Sequence, residues 1–217
     1  MGKKAIAGIL FFVLVAALAA GMFFLDKQKE QERMDALCGV WEMEAAVPRE
    51  DVRTLLENND FYDEEITLAD LGALSYVQTV TFREDGTYRF SVDTEASQAR
   101  VGEFFRGVFQ KLFAGRERLN EIYDVDFGQM DEAQFQQFYA EIYEMQDFEA
   151  LISLFSQNAL DLEAMAELEA GDFKLKNGKI DFVTSSIGKP GVADYAIDGE
   201  KLTITYVDGV EEYTRAK

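Results

Sequence analysis

The stretch Val77–Val92, which reads VQTVTFREDGTYRFSV, predicts a β-hairpin. The residues on both sides of its centre are mostly β-branched or aromatic, the composition that favours strands. Asp85-Gly86 lies between the two halves, and glycine accepts the positive φ that a tight hairpin turn demands. We therefore predict two antiparallel strands, over Val77–Arg83 and Thr87–Val92.

Further strands are predicted on both sides of this hairpin. One precedes it, at Cys38–Ala45 (CGVWEMEA). Five strand-like segments follow near the C-terminus, at residues 172–176, 179–184, 193–197, 201–207 and 210–215. Asn177-Gly178, Asp198-Gly199 and Asp208-Gly209 punctuate them as hairpin turns. Consecutive hairpins build an antiparallel meander, which buries one face and must close or be covered to remove its edges.

Residues 97–170 change from a period of two to a period near 3.6, which predicts three or four helices. Apolar side chains recur at helical spacing in the first stretch: Val101, Phe104, Phe105, Val108, Phe109, Leu112 and Phe113. Asp131, followed by Gln134 three residues later, resembles a capping box before a second helix. We interpret the aromatic faces as helix core. The alternative is a mobile apolar lid or a groove for a partner.

The predicted helical segment is strongly acidic. No Lys or Arg occurs from Leu119 to Phe173, whereas this stretch contains 14 Asp and Glu residues. Charged side chains remain on the surface of a packed helix bundle. The segment is therefore expected to have a very acidic exterior.

The N-terminus predicts export. Lys3 and Lys4 precede an uncharged run of 21 residues, Ala5–Leu25, which as a helix reaches about 30 Å, the thickness of a bilayer core. It is either an uncleaved signal anchor or a signal peptide cleaved near Ala17-Leu18-Ala19, and the continued apolar run favours the anchor. A buried soluble helix is a third option. Residues 26–34 are expected to form a stalk, and residues 35–217 one exported domain.

Composition excludes several classes of function. The 217 residues include 21 Lys and Arg, 41 Asp and Glu, no His and one Cys, for a net charge of −20. Without His there is no Ser-His-Asp or Cys-His catalytic unit, and a zinc site of the Cys/His type is excluded. One Cys permits no intrachain disulfide. The negative charge repels nucleic acid, so a nucleic-acid partner is not expected.

No constellation in the sequence predicts catalysis or a cofactor. The acidic loop Asp124–Glu132 fails the EF-hand spacing, because Gln129 and Phe135 occupy the positions that require Gly and Glu. A helix–loop–helix with an Asp cap is the favoured interpretation.

Ser185-Ser186 near Lys189 is interpreted as a loop and not as a Ser/Lys nucleophile. Cys38 lacks a lipobox, because the large Leu37 precedes it. We expect no enzyme activity, no metal and no cofactor.

Four segments resemble parts of small bacterial lipocalin-like (calycin-type) domains. Leu37-Cys38-Gly39-Val40-Trp41-Glu42 resembles the G-x-W opening of lipocalins, and Thr81-Phe82 with Asp85-Gly86-Thr87-Tyr88 resembles a TFxxDGTY hairpin. Residues 195–204 and 208–215 resemble the last two hairpins of such domains. The likeness covers residues 35–96 and 171–217. It implies an α+β protein in which a lipocalin-like meander or barrel is interrupted by an acidic helical insertion at 97–170.

The resemblance also implies roles for particular residues. Trp41 would close the bottom of the barrel, with Arg215 packed over its indole by a cation–π contact. The alternative is that Arg215 is a free charge near the C-terminus. The insertion leaves two architectures open, a complete barrel or a half-open sheet capped by helices.

Two functions remain open at this point. The first is binding of a small apolar ligand in the barrel interior, which is expected to be lined by Val80, Phe82, Tyr88, Phe90 and Ile204. The second is a cell-envelope interaction or structural module, in which the acidic helical surface meets a basic protein, cations or cell-wall polymer. In both, residues 5–25 contact the membrane. The protein is expected as a single-pass membrane protein with its C-terminal domain outside the cytoplasm, or as a secreted protein after cleavage.

Overall fold

The computed structural model describes residue 25 and residues 27–58, 71–165, 169–183 and 191–216. The predicted anchor at 5–25 lies outside the described residues, apart from Leu25. The predicted loop around Ser185-Ser186 and Lys189 also lies outside them. Among the described residues, no helix has the length and apolarity needed to cross a membrane.

Eight antiparallel strands in sequential order form a closed barrel. They are β1 (Gly39–Ala46), β2 (Ser75–Phe82), β3 (Thr87–Asp93), β4 (Glu169–Lys176), β5 (Lys179–Phe182), β6 (Gly191–Asp198), β7 (Lys201–Thr205) and β8 (Val210–Arg215). Of the two architectures that the sequence left open, the described strands form the complete barrel and not the half-open sheet. An eight-stranded antiparallel barrel of this order is consistent with a lipocalin-like fold.

The Asn177-Gly178 turn shows how local sequence sets the strand register. Both residues have positive φ, 54° and 77°, as a two-residue turn of the primed type requires. The turn pairs Lys176 with Lys179 and Leu175 with Ile180 across β4 and β5. Leu175 and Ile180 are buried, so the turn and the hydrophobic pattern specify the same register.

Most of the helices lie between β3 and β4 in the sequence. Residues 27–37 are helical and form α1. The other helices are α2 (Arg49–Asn58), α3 (Thr94–Ala114), α4 (Asn120–Tyr123), α5 (Glu132–Ile142), α6 (Phe148–Asn158) and α7 (Leu162–Met165), with 3₁₀ turns at Arg116–Leu119 and Phe127–Gln129.

Both ends of the helical segment differ from those predicted. The first helix begins at Thr94, three residues early, because the side chain of Asp93 accepts a hydrogen bond from the Ala96 amide at 2.9 Å and caps it. Strand β4 begins at Glu169, inside the segment predicted to be helical through Ala170. Glu169 is itself buried, and the strand alternation starts there.

The described residues fall into two compact units. The terminal unit lies within Met1–Trp41, Thr81–Arg89 and Ala170–Lys217, and the helical unit within Glu42–Val80 and Phe90–Glu169. The core of the helical unit is largely aromatic. Phe105 stacks on Phe155 at 5.2 Å between ring centroids, and Phe127 meets Phe138 edge-on at 4.9 Å. The apolar face from Val101 to Leu112 is buried in this core.

Candidate functional sites

The five residues expected to line the barrel interior are all buried. Their exposed fractions lie between 0% and 4%: Val80, Phe82, Tyr88, Phe90 and Ile204. In the terminal unit, aromatic rings pack against one another. Phe82 contacts Phe173 edge-on at 5.1 Å, and Tyr88 contacts Phe182 edge-on at 4.8 Å. These contacts place Phe82 and Tyr88 beside other aromatic side chains of the terminal unit, and ligand binding by the five residues stays a prediction.

Trp41 and Arg215 lie together in the terminal unit. Cζ of Arg215 is 4.2 Å from the centroid of the Trp41 ring. The indole nitrogen of Trp41, which is fully buried, donates a hydrogen bond to the Leu37 carbonyl at 2.8 Å. The guanidinium of Arg215 donates to the carbonyl oxygens of Cys38 at 3.1 Å and Ala36 at 2.6 Å. These contacts join β8 to the end of α1 and the start of β1.

Cys38 is a free, partly buried thiol beside this pair. Burial raises the pKa of Cys38, and the carboxylates of Glu84, Asp35 and Asp85 raise it further, whereas Arg215 lowers it. The thiolate is therefore disfavoured at neutral pH. A nucleophilic cysteine needs the opposite environment.

The acidic loop at residues 124–132 uses its carboxylates as helix caps. The side chain of Asp131 accepts from the Gln134 amide at 2.8 Å, and the Gln134 side chain accepts from the Asp131 amide at 3.0 Å, which confirms the predicted capping box. Asp126 accepts from the Gly128 amide at 3.2 Å. Among the described residues, no group of three or more Cys, Asp or Glu residues is arranged to hold a metal ion.

The helical unit exposes many carboxylates, which we call the acidic helical surface. Its members are Glu121, Asp124, Asp126, Asp131, Glu132, Glu141, Glu144, Asp147, Glu149, Asp161 and Glu163. Arg106 on α3 pairs with Glu149 at 2.5 Å. Two large aliphatic side chains are exposed on the same helices: Ile122 at 70% and Ile142 at 43%. Tyr123, next to Ile122, packs against Tyr139 of α5, so α4 and α5 lie side by side.

A second polar feature, which the sequence interpretation missed, is a groove in the terminal unit. We call it the basic groove. It consists of two cavities of about 420 Å³ each, both lined by Lys29, Arg33 and Gly178. Lys176 and Asn177 line one of them, and Tyr195 and Ile197 line the other. The signal in the sequence was the run KLKNGK at 174–179, which has three Lys in six residues and was interpreted only as a hairpin.

Comparison of the chain with protein families, with curated proteins and with solved structures found no match in any of the three.

Proposed function

We propose that this protein is a non-enzymatic, lipocalin-like interaction module of the cell envelope, whose acidic helical surface binds a basic protein outside the cytoplasm. The observation that carries the proposal is the charge of this surface: eleven exposed carboxylates between Glu121 and Glu163, with no Lys or Arg in the sequence from Leu119 to Phe173. Such a predominantly negative field steers cationic partners toward it.

The aromatic core supports a pre-organised surface. Phe109 contacts both Tyr139 of α5 and Phe148 of α6, with ring centroids 5.4 and 5.1 Å apart. Rings packed across three helices hold the helix faces in place, so little ordering entropy is lost on binding. The carboxylates are consequently presented at fixed positions.

The exposed aliphatic residues favour a protein over a metal ion or a simple polymer. Protein interfaces combine apolar side chains at their centre with a polar, often charged rim. Ile122 and Ile142 are exposed on adjacent helices among the carboxylates. A partner with basic residues around an apolar patch complements this arrangement.

A sharp test must remove charge without removing helix caps. Asp126, Asp131, Asp147 and Asp161 each accept a hydrogen bond from a backbone amide two or three residues later, so their removal would destabilise helix ends. Glu121, Glu144 and Glu163 are exposed and do not have this role. The triple variant Glu121→Gln/Glu144→Gln/Glu163→Gln therefore changes charge with little effect on folding.

The experiment measures binding of a defined amphipathic peptide, with Lys around a Leu face, to the full chain. We expect the triple variant to bind about tenfold more weakly and with a smaller salt dependence. The matched control, Glu84→Gln/Glu200→Gln/Glu212→Gln, removes the same charge from the terminal unit and should bind nearly as the wild type. Ile122→Ser should weaken binding without changing the salt dependence. Equal weakening by both triple variants would show that net charge alone attracts the peptide and would sink the proposed site.

The closed barrel supports a second candidate, an apolar carrier. Its strands direct apolar side chains into a closed interior, where lipocalin-like domains hold ligands. The test is saturable uptake of a fluorescent apolar probe by the full chain, compared with Ile204→Trp, which fills interior volume. One-site uptake that this substitution abolishes would favour the carrier. Uptake that is absent, or the same in both proteins, would leave the interaction module.

A further inference from the structure

We propose that the basic groove of the terminal unit binds a phosphate group, carried by a lipid headgroup or by a soluble phosphate ester. The groove lies in the terminal unit, whereas the acidic helical surface lies in the helical unit, and the two would bind ligands of opposite charge. A failure of this proposal would therefore leave the function proposed above unaffected, and the reverse.

One wall of the groove is a single face of α1. Lys29, Glu32, Arg33 and Ala36 are spaced i, i+3, i+4 and i+7, which places them along one side of a helix. Ala36 is small, so it leaves room beside the two cations. The helix thus presents an ammonium and a guanidinium one turn apart toward the same opening.

The opposite wall comes from the barrel. The β4–β5 hairpin contributes Lys176, Asn177 and Gly178, and β6 contributes Tyr195 and Ile197. Residues two apart on a strand share a face, so Tyr195 and Ile197 line the same side. Burial raises the pKa of Tyr195, opposed by the nearby guanidinium of Arg33. The phenol is therefore protonated at neutral pH and able to donate a hydrogen bond.

The cations of the groove lack carboxylate partners. Within the part of the chain that the structure describes, Lys29, Arg33 and Lys176 form no ion pair, although acidic residues outnumber basic ones by 41 to 21. Lys179, at the other side of the same turn, does pair with Asp194 at 3.0 Å. Three unpaired cations repel one another in a shared groove, and a bound anion removes that cost.

Phosphate fits these donors better than a carboxylate does. A guanidinium offers a planar fork to two phosphate oxygens, and two ammonium groups match the remaining charge of a phosphate that carries close to two negative charges. Glu30 and Glu32 also line the groove and oppose an anion there. Glu32 accepts a hydrogen bond from Gln28 at 3.1 Å, so its carboxylate is already engaged along the helix.

Two sources of phosphate suit the position of the groove. Lys29 and Arg33 follow the predicted span at 5–25 by four and eight residues, which favours a lipid headgroup. The cavity volumes lie in the range of small-molecule sites, which favours a soluble ester.

The test is calorimetric titration of the full chain in a neutral detergent. One arm uses glycerol phosphate and the other dihexanoyl phosphatidic acid, whose phosphate is likewise a monoester, with dihexanoyl phosphatidylcholine, a phosphodiester with no net charge, for comparison. We expect saturable binding that Arg33→Gln/Lys176→Gln weakens about tenfold or more, because two charge-assisted contacts are lost. Arg49→Gln/Lys111→Gln removes the same charge elsewhere and should change binding less than about twofold. Tyr195→Phe should weaken binding severalfold at unchanged charge.

The two arms separate the sources. Binding of glycerol phosphate at least as tight as that of the phosphatidic acid indicates a soluble ester, whereas binding of the phosphatidic acid alone, or much more tightly, indicates a lipid headgroup. Absence of binding in both arms, or equal loss in the groove and control variants, would overturn the proposal. The affected side chains are exposed and unpaired, so we expect both double variants to melt at the wild-type temperature.

Discussion

The guanidinium of Arg215 lies over the indole of Trp41, with 4.2 Å from Cζ to the ring centroid. The same guanidinium donates hydrogen bonds to the carbonyl oxygens of Ala36 and Cys38. One side chain near the C-terminus therefore satisfies two backbone acceptors and covers an aromatic ring near the other end of the domain. A contact between residues so far apart in sequence closes a long loop, and it therefore restricts the conformations that the chain between them can adopt.

The first prediction concerns Arg215→Ala. The substitution removes the cation–π contact and leaves two carbonyl oxygens without their donor, so the free energy of unfolding should fall by about 2 to 3 kcal/mol. Arg215→Lys keeps the positive charge but not the planar guanidinium with its several donors. The free energy of unfolding should then fall by about half as much as in Arg215→Ala. Urea unfolding followed by Trp41 fluorescence measures both, since the chain has one Trp. Lys174→Ala, an exposed change on β4, is the control, and an equal effect there would refute the assigned role.

The second prediction tests the close approach of Gly39 to Arg215. A Cβ at Gly39 would lie 2.8 Å from Nη1 of Arg215, and the φ of Gly39 is +135°, which an L side chain rarely adopts. Gly39→Ala should therefore cost about 2 to 3 kcal/mol. In the Arg215→Ala background the clash disappears and only the backbone strain remains, so the same change should cost less. A double-mutant cycle measures that difference, and additive effects would contradict the predicted clash.

The third prediction concerns the aromatic core of the helical unit. Phe105 is fully buried, stacks on Phe155 at 5.2 Å and meets Phe104 edge-on at 5.5 Å. Phe105→Ala should lower the free energy of unfolding by about 3 to 5 kcal/mol, and Phe105→Leu by a smaller amount, because Leu refills part of the volume. Far-ultraviolet circular dichroism during urea unfolding follows these helices. A loss under about 1 kcal/mol for the Ala variant would show that the ring is not a core element.

Local patterns in the sequence were sufficient for most elements of the fold. The Asp85-Gly86 and Asn177-Gly178 turns, the apolar face from Val101 to Leu112 and the capping box at Asp131 each depend on neighbours within one or two turns of chain. All of them occur as predicted. These predictions succeed because the spacing of apolar residues, every second residue in a strand and every three or four in a helix, reflects directly which side chains are buried.

Features that depend on distant residues were not predictable in the same way. Closure of the barrel depends on strand twist and register summed over eight strands, which no local pattern encodes. The basic groove joins α1 to a hairpin about 150 positions later, and Lys176 carries no sign in the sequence that it faces Arg33. The sequence placed Phe82 on a strand, but a local pattern cannot reveal that its ring would contact that of Phe173, about 90 positions later.

The fourth prediction separates charge from capping at Asp131. Its carboxylate accepts the Gln134 amide at 2.8 Å at the start of α5. Asp131→Ala should cost about 1 kcal/mol, whereas Asp131→Asn keeps an acceptor and should cost only a few tenths. Thermal unfolding of both variants measures this difference. If Asn proved as damaging as Ala, charge near the helix start, and not the hydrogen bond, would be the stabilising factor.

The fifth prediction follows from the buried phenol of Tyr139. Burial raises the pKa of Tyr139 well above its usual range, and the neighbouring Tyr123 and Tyr143 raise it further. The unfolded chain releases this proton near pH 10, whereas the folded chain retains it. The stabilisation is therefore fully present below about pH 10 and is lost as the pH rises above that value, by up to about 1.4 kcal/mol per pH unit.

Tyr139→Phe removes this titration while keeping the ring in the core. The difference in unfolding free energy between wild type and variant should be constant from pH 7 to about 9 and should shift in favour of the variant between about pH 10 and 11. Urea unfolding of both proteins at matched ionic strength measures it, and titrating groups that do not interact with Tyr139 cancel in the comparison. Parallel curves up to pH 11 would show that the phenol ionises as easily in the folded protein as in the unfolded chain, and hence that water reaches the aromatic core around Tyr139.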